Sequence, residues 1–262
     1  MDLNLREKVF IVTGGAKGIG RAIALALARE GAIPVIVGRK QEDNLAVQTE
    51  VEAIGGRALS VEAELSDPST CERAVAETLR VFGRIDGLVN NAGQNDGVGL
   101  ASGNYERFVA SLHKNLIHYY LMAHHALDAL KDSKGSIINI SSKTAETGQG
   151  NTSAYAASNG GRNALTREWA VELLPYGIRV NAIVVAEAAT PQYDTWIKTL
   201  ENPEETLKKI TNRIPLGNRM TTADEIADTA VFLLSSRSSH TTGQLVYVDG
   251  GYVHLDRALI KE

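Results

Sequence analysis

An apolar run, Lys8–Thr13, passes directly into Thr13-Gly14-Gly15-Ala16-Lys17-Gly18-Ile19-Gly20. From Gly18 to Glu30, Ile19, Ala22, Ile23, Ala26 and Leu27 then recur at helical spacing. A buried strand, a glycine turn and an amphipathic helix in that order open a strand–helix–strand unit with a parallel sheet. The glycines allow a tight turn and close approach to a pyrophosphate, whose charge is stabilised by the free N–H groups at the helix start. The spacing is G-x-x-x-G-x-G, not the commoner G-x-G-x-x-G. Gly14, Lys17, Gly18, Ile19 and Gly20 are therefore the expected phosphate-side contacts.

The same alternation fills the rest of the chain. Strands are expected at Pro34–Gly38, Arg57–Ala63, Asp86–Asn90, Ser136–Ser141, Ile178–Val185 and Gln244–Val248. Helices are expected at Glu42–Ile54, from an Asp67 cap and Pro68 to Phe82, and at Asn104–Leu130, Thr152–Leu174 and Ala223–Ser235. A polar, mostly helical segment at Thr190–Arg213 interrupts the pattern, and about 186–215 is the expected substrate loop. This predicts an α/β fold: a single-domain, Rossmann-type, doubly wound parallel sheet of about seven strands with helices on both faces. Nothing divides the 262 residues, so one dinucleotide-binding and catalytic domain spans 1–262. In such a sheet the ligand crevice lies beyond the carboxyl ends of the strands. Gly14, Arg39, Glu64, Asn90, Ser142 and Glu187 all follow strand ends.

The end of the second strand reports on the ribose. A carboxylate there suits the free hydroxyl of NAD, whereas a 2′-phosphate favours cations. Arg39 and Lys40 follow Gly38, Lys17 lies in the glycine loop, and no carboxylate precedes Glu42. NADP is the expected cofactor, with NAD possible if these charges are only solvated surface. Glu64 and Leu65 are expected to border the adenine, and Asn91, Ala92 and Gly93 to pass beneath the cofactor.

The segment SSKTAETGQGNTSAYAASN, from Ser141 to Asn159, carries the chemistry. Ser142 stands thirteen residues before Tyr155, and Tyr155 opens a long helix. A hydroxyl and a phenol beside a nucleotide site suit proton transfer to or from an alcohol or carbonyl.

With TGGAKGIG, NNAG, Asn115 in HKNLIHYY, NISS, Tyr155-Ala-Ala-Ser and GIRVNAI in this order, the chain resembles the short-chain dehydrogenase/reductase family over nearly its whole length. SSKTAETGQGNTS, ALTREWAVEL, IPLGNRMTTADEIADTAVFLLS, SSHTTG and VDGGYVHLDRAL are similar to the branch oxidising aldoses such as L-fucose. The resemblance implies hydride transfer from C1 of the sugar to the nicotinamide, giving a lactone. It implies Tyr155 as base, Ser142 orienting the reacting oxygen and Asn115 holding a relay water. It also implies a homotetramer, with the helices bearing Asn115 and Tyr155, and a tail at His254–Leu259, as interface elements.

Position 159 departs from the family, which has lysine four residues after the tyrosine to hold the ribose and ease ionisation of the phenol. Asn159 can hydrogen-bond a ribose but carries no charge. An ordinary tyrosine titrates near ~10, and losing a lysine effect of ~2–3 units costs roughly 3–4 kcal/mol. That corresponds to a rate on the order of a hundred- to thousand-fold lower. Arg162, one turn further along, or Lys143, beside Ser142, would have to compensate. Val185, where the family has proline, is a second departure at the same site. These residues leave three readings open: a weakened sugar dehydrogenase, a non-catalytic nucleotide- or sugar-binding protein, and a dehydrogenase for another alcohol.

A sugar pocket needs directed hydrogen bonds and some apolar wall. Among Asn95, Asp96, Glu146, Gln149, Glu187, Tyr193 and Trp196, the expected substrate residues are Gln149, Glu187 and Trp196. The six histidines show no metal-ligand spacing, so no metal is expected. A net charge of −4 argues against nucleic acid or an anionic membrane as partner. No apolar run approaches the ~20 residues of a membrane span. One cysteine, Cys71, read as a packing residue, and a charged start without a leader pattern suit the cytoplasm.

Overall fold

The computed structural model describes residues 2–256, so Arg257–Leu259 of the expected interface tail lie outside the described residues. Six strands alternate with helices: β1 (Val9–Thr13), β2 (Ile33–Gly38), β3 (Leu59–Glu62), β4 (Gly87–Asn90), β5 (Ser136–Ser142) and β6 (Arg179–Val185). A two-residue pair, β7 (Ala188–Ala189) and β8 (Thr221–Thr222), precedes the last strand, β9 (Leu245–Val248). The main sheet runs β3-β2-β1-β4-β5-β6-β9, with every pairing parallel. Strand order reverses between β1 and β4, which opens the crevice over Thr13 and Asn90.

The helices are α1 (Gly18–Arg29), α2 (Gln41–Ala53), α3 (Pro68–Phe82), α4 (Tyr105–Leu112), α5 (His118–Ser133), α6 (Ser153–Glu172), α7 (Pro191–Ile197), α8 (Pro203–Thr211) and α9 (Ala223–Leu234). Alternate residues of β1 serve opposite layers, as the two-residue period of a strand requires. Val9 and Ile11 pack with Val75 of α3, Met122 of α5 and Trp169 of α6 in one core. Phe10 and Val12 join Ile23 and Leu27 of α1 and Ile226 and Val231 of α9 in the other. Each buried aliphatic side chain there contributes roughly 1.5–3 kcal/mol. Cys71 lies fully buried in the first core, and burial, reinforced by Asp67, pushes its thiol up to about 11. It packs and stays protonated.

The sheet and helices match the expected architecture, with two local differences. The helix expected at Asn104–Leu130 is two helices joined by a π-helical turn, His113–Ile117. Such a turn carries an extra residue and frees a backbone carbonyl from the regular ladder; here that carbonyl belongs to Asn115. The segment after β6 holds two short helices, α7 and α8, each opened by a proline in its first turn.

Candidate active site

The glycine turn and the loop after β4 are joined by hydrogen bonds. Thr13 Oγ1 accepts from the backbone N–H groups of Asn91 and Ala92, at 2.8 and 3.1 Å. Asn91 Nδ2 donates to the carbonyls of Thr13 and Gly14, at 2.9 and 3.3 Å. Glycine is required where α1 crosses this turn, because a Cβ on Gly20 would stand 2.2 Å from the Gly14 oxygen. Lys17 begins α1 with no side-chain cap, whereas Asp67 caps α3 and Thr222 with Glu225 forms a capping box on α9. An uncapped helix start at the crevice suits a phosphate. The glycine turn and uncapped helix start therefore fit the phosphates of a dinucleotide.

At the ribose end, Arg39 and Lys40 are exposed. Lys17 pairs with Asp43 at 2.7 Å and Arg39 stands 3.8 Å from Glu64, and both cations are largely in solvent. Ion pairs this exposed are weak and can yield to a phosphate. Leu65 is only 7% exposed and packs in the first core. Its partner Glu64 is at the surface.

Ser142 ends β5 opposite Val185 of β6, and its Oγ accepts from the Thr144 N–H at 3.3 Å. Val185 continues the β6 ladder as a buried strand residue. Tyr155 lies half-buried in the first turn of α6, and its hydroxyl has no hydrogen bond among the described residues. The Asn115 side chain is fully committed. Its Oδ1 accepts from the Gln94 N–H at 2.7 Å and its Nδ2 donates to Ser111 O at 3.0 Å. Asp96 holds Ser111 in turn, at 2.9 Å. This network braces the loop after β4 against α4.

The carbonyl of Asn115 is also occupied. Arg162, 3% exposed, donates from Nε to it at 2.6 Å, and from Nη1 to Ile140 O at 3.1 Å and Asn159 Oδ1 at 2.9 Å. Asn159, fully buried, donates in turn to Tyr155 O at 2.8 Å. A guanidinium thus caps the Asn115 carbonyl. Arg162 lies over the Tyr119 ring at 4.3 Å and 6.0 Å from the centre of the Tyr155 ring. Burial, with the Arg162 charge second, pulls the His118 imidazole down to about 3, so it is neutral in the fold. Burial pushes the Tyr119 phenol well above its ordinary range.

Lys143 points the other way. It is buried against Glu187 in an ion pair, with its ammonium 4.2 Å from the centre of the Tyr252 ring. Its charge is cancelled, so Lys143 is not the free cation the sequence allowed. Glu187, expected to meet substrate, is its partner. Burial and that carboxylate push the Tyr193 phenol far up, and Tyr193 holds Trp196 edge-on at 5.0 Å. Trp196 is 44% exposed and Gln149 is exposed on the loop before α6. Glu146 accepts from Asn163 at 3.0 Å.

A family model described as enoyl-(acyl carrier protein) reductase, of the short-chain alcohol dehydrogenase type, matches residues 14–253. The chain belongs to the short-chain dehydrogenases/reductases. This short-chain dehydrogenase is 45% identical to a solved structure titled Cj0485 dehydrogenase, each chain covered fully, with a TM-score of 0.94. It is 35% identical to a 3-oxoacyl-[acyl-carrier-protein] reductase of Thermotoga maritima, covering 96% of this chain and 100% of that one. It is 35% identical to the L-rhamnose 1-dehydrogenase (NAD(P)(+)) of Azotobacter vinelandii, covering 94% and 97%. An L-fucose dehydrogenase of Bos taurus is 34% identical, covering 96% and 91%. Membership makes this protein an NAD(P)-dependent oxidoreductase. No helix among the described residues is long and apolar enough to cross a membrane.

The sequence alone missed the Lys143–Glu187 pair and the Arg162 hub. Their partners lie 44 and 47 residues away along the chain, beyond the reach of any local pattern. The signal for Arg162 was its place one turn past Asn159, on a helix that also carries Trp169 and Ala170 into the core.

Proposed function

We propose that this enzyme oxidises an L-fucose-like aldose at C1 to the lactone, with NADP preferred over NAD. The observation that carries the reading is the match to sugar dehydrogenases over 94% and 96% of the chain. A bound nicotinamide supplies the hydride acceptor. The chain's own residues handle the proton: Tyr155, as phenolate, takes it from the C1 hydroxyl while Ser142 Oγ–H donates to the same oxygen and fixes its direction. Asn115 keeps the loop at Asn91–Gly93 in register beneath the cofactor. Gln149 and Trp196 offer a hydrogen bond and an apolar wall at the mouth, and Glu187 presents a carboxylate edge. About 186–215 forms the substrate loop. Arg39, Lys40 and Lys17 draw the 2′-phosphate, with Glu64 and the Leu65 backbone beside the adenine.

The enzyme works in the cytoplasm as a homotetramer. Tyr105 and Tyr120, 76% and 51% exposed on α4 and α5, and Val171, 69% exposed on α6, supply apolar surface for association. Light scattering on the purified protein measures the assembly.

The test is NADP and NAD reduction with L-fucose and a panel of aldoses. Turnover with at least one aldose, lost in Tyr155→Phe, is expected. Silence on every aldose with turnover of another alcohol would assign a different substrate class. Cofactor binding with no turnover at all would favour a binding protein. A lower KM for NADP that rises in Arg39→Ala with Lys40→Ala is expected; no change would make those charges plain surface.

A further inference from the structure

Arg162 is a cation held deep in the protein without a counter-ion. Its nitrogens donate to two backbone carbonyls and one amide oxygen, and among the described residues it forms no ion pair. Its Nη2 is buried with no partner at all, directed at Gly93 on the loop after β4. A Cβ on Gly93 would lie 2.8 Å from that nitrogen, so the glycine makes room for the guanidinium. Burying a charge on neutral acceptors alone is costly, and such groups concentrate at functional sites.

We infer that the positive charge this chemistry needs beside Tyr155 has moved along α6 from position 159 to position 162. Arg162 supplies it, and Asn159 is the neutral bracket that ties the guanidinium to the first turn of the helix. This rests on the reading of Tyr155 as the base. Asn159 is therefore an adaptation: its Oδ1 accepts from Nη1 while its Nδ2 donates to Tyr155 O, so the two residues form one unit. A lysine at 159 would set a second cation against the first, because Asn159 Oδ1 lies 2.9 Å from Nη1. The groups around Arg162 are accounted for on every side. Tyr155 and Asn159 come from its own helix, Asn115 O from the π-helical turn, His118 and Tyr119 from α5, Ile140 O from β5, and Gly93 from the loop. None of them is a carboxylate. Arg162 acts through Tyr155, so it is a positioning residue whose signature is electrostatic. Its guanidinium carbon stands 6.0 Å from the centre of the Tyr155 ring.

The experiment separates charge from bracing. Arg162→Gln keeps a neutral donor, and Arg162→Lys keeps the charge. The expected result is a ten- to hundred-fold loss of kcat in Arg162→Gln at neutral pH, recovered as pH rises, with Arg162→Lys close to the parent. Independently of turnover, the ultraviolet phenolate absorbance that disappears in Tyr155→Phe should rise at higher pH in Arg162→Gln than in the parent. Equal absorbance profiles in the two proteins, or equal loss in both variants with no pH recovery, would overturn the inference. If Arg162→Gln does not fold, Asn159→Lys in the parent decides. No gain or a loss of rate is expected, and a hundred-fold gain would show that Arg162 was not serving Tyr155. A parent inactive on every aldose would sink the substrate reading alone, because the absorbance measurement still decides the role of Arg162.

Discussion

Two buried cations, near Ser142 and Tyr155 in the chain, are held in opposite ways. Lys143, next to Ser142, is neutralised by Glu187 and covered by the Tyr252 ring. Arg162, two turns after Tyr155, rests on carbonyl and amide oxygens and keeps its charge. A paired charge has little field beyond its partner, whereas an unpaired one in a poorly screened interior reaches its neighbours. The depressed His118 imidazole beside Arg162 is a sign of that reach, although burial is the larger cause. Nearness to Ser142 along the chain is therefore a poor guide to which cation keeps its field. The counter-charge decides.

The largest expected effect comes from breaking the paired side. Glu187→Gln strands the Lys143 ammonium, only 10% exposed, without its carboxylate. Loss of one partner of a buried pair costs about 3–5 kcal/mol, which a urea or thermal unfolding curve would register. A loss below ~1 kcal/mol would mean that the pair behaves like a surface contact.

Gly93→Ala attacks the unpaired side through its packing. The new methyl meets Nη2 at 2.8 Å and must push the guanidinium from its seat. Overpacking of this kind costs about 1–3 kcal/mol, and turnover should fall with it. Unchanged turnover would show that the position of Arg162 is not critical.

A smaller effect concerns pH. His118 is held neutral, down to about 3 from an ordinary value of 6.5. A base depressed in the fold contributes stability that is complete above the unfolded value and lost as pH falls through 6.5 towards 3. Unfolding midpoints should therefore decline below about pH 6.5, and less steeply in His118→Phe. In Arg162→Gln the His118 ring, followed by proton NMR, should titrate closer to its ordinary value. An unmoved titration would mean that burial alone sets it.

The frame of the molecule was legible in the sequence, for physical reasons. Buried parallel strands must be short apolar runs, and the helices between them announce their ends with Gly31, Asp67 and Pro68, so most boundaries agree within one or two residues. The Asp67 cap is present as read. The π-helical turn was not legible, because HKNLI continues a helical pattern and the Arg162 bond to the Asn115 carbonyl comes from 47 residues away. The β7–β8 pair escaped for a similar reason, since two residues on each side carry no periodicity. Position 159 stood out in the sequence as an asparagine four residues after Tyr155. Whether Arg162 or Lys143 answers it depends on where Glu187 falls, and that is a property of the fold.

The most direct test of the relocated charge is to return it to position 159. The rate of NADP reduction would be measured for Arg162→Gln and for the double exchange Asn159→Lys with Arg162→Gln, on whichever aldose the parent oxidises. The account predicts that the double exchange recovers most of the ten- to hundred-fold loss of the single variant. A double exchange no faster than Arg162→Gln would contradict it, leaving Arg162 as a strut between α5, α6 and β5.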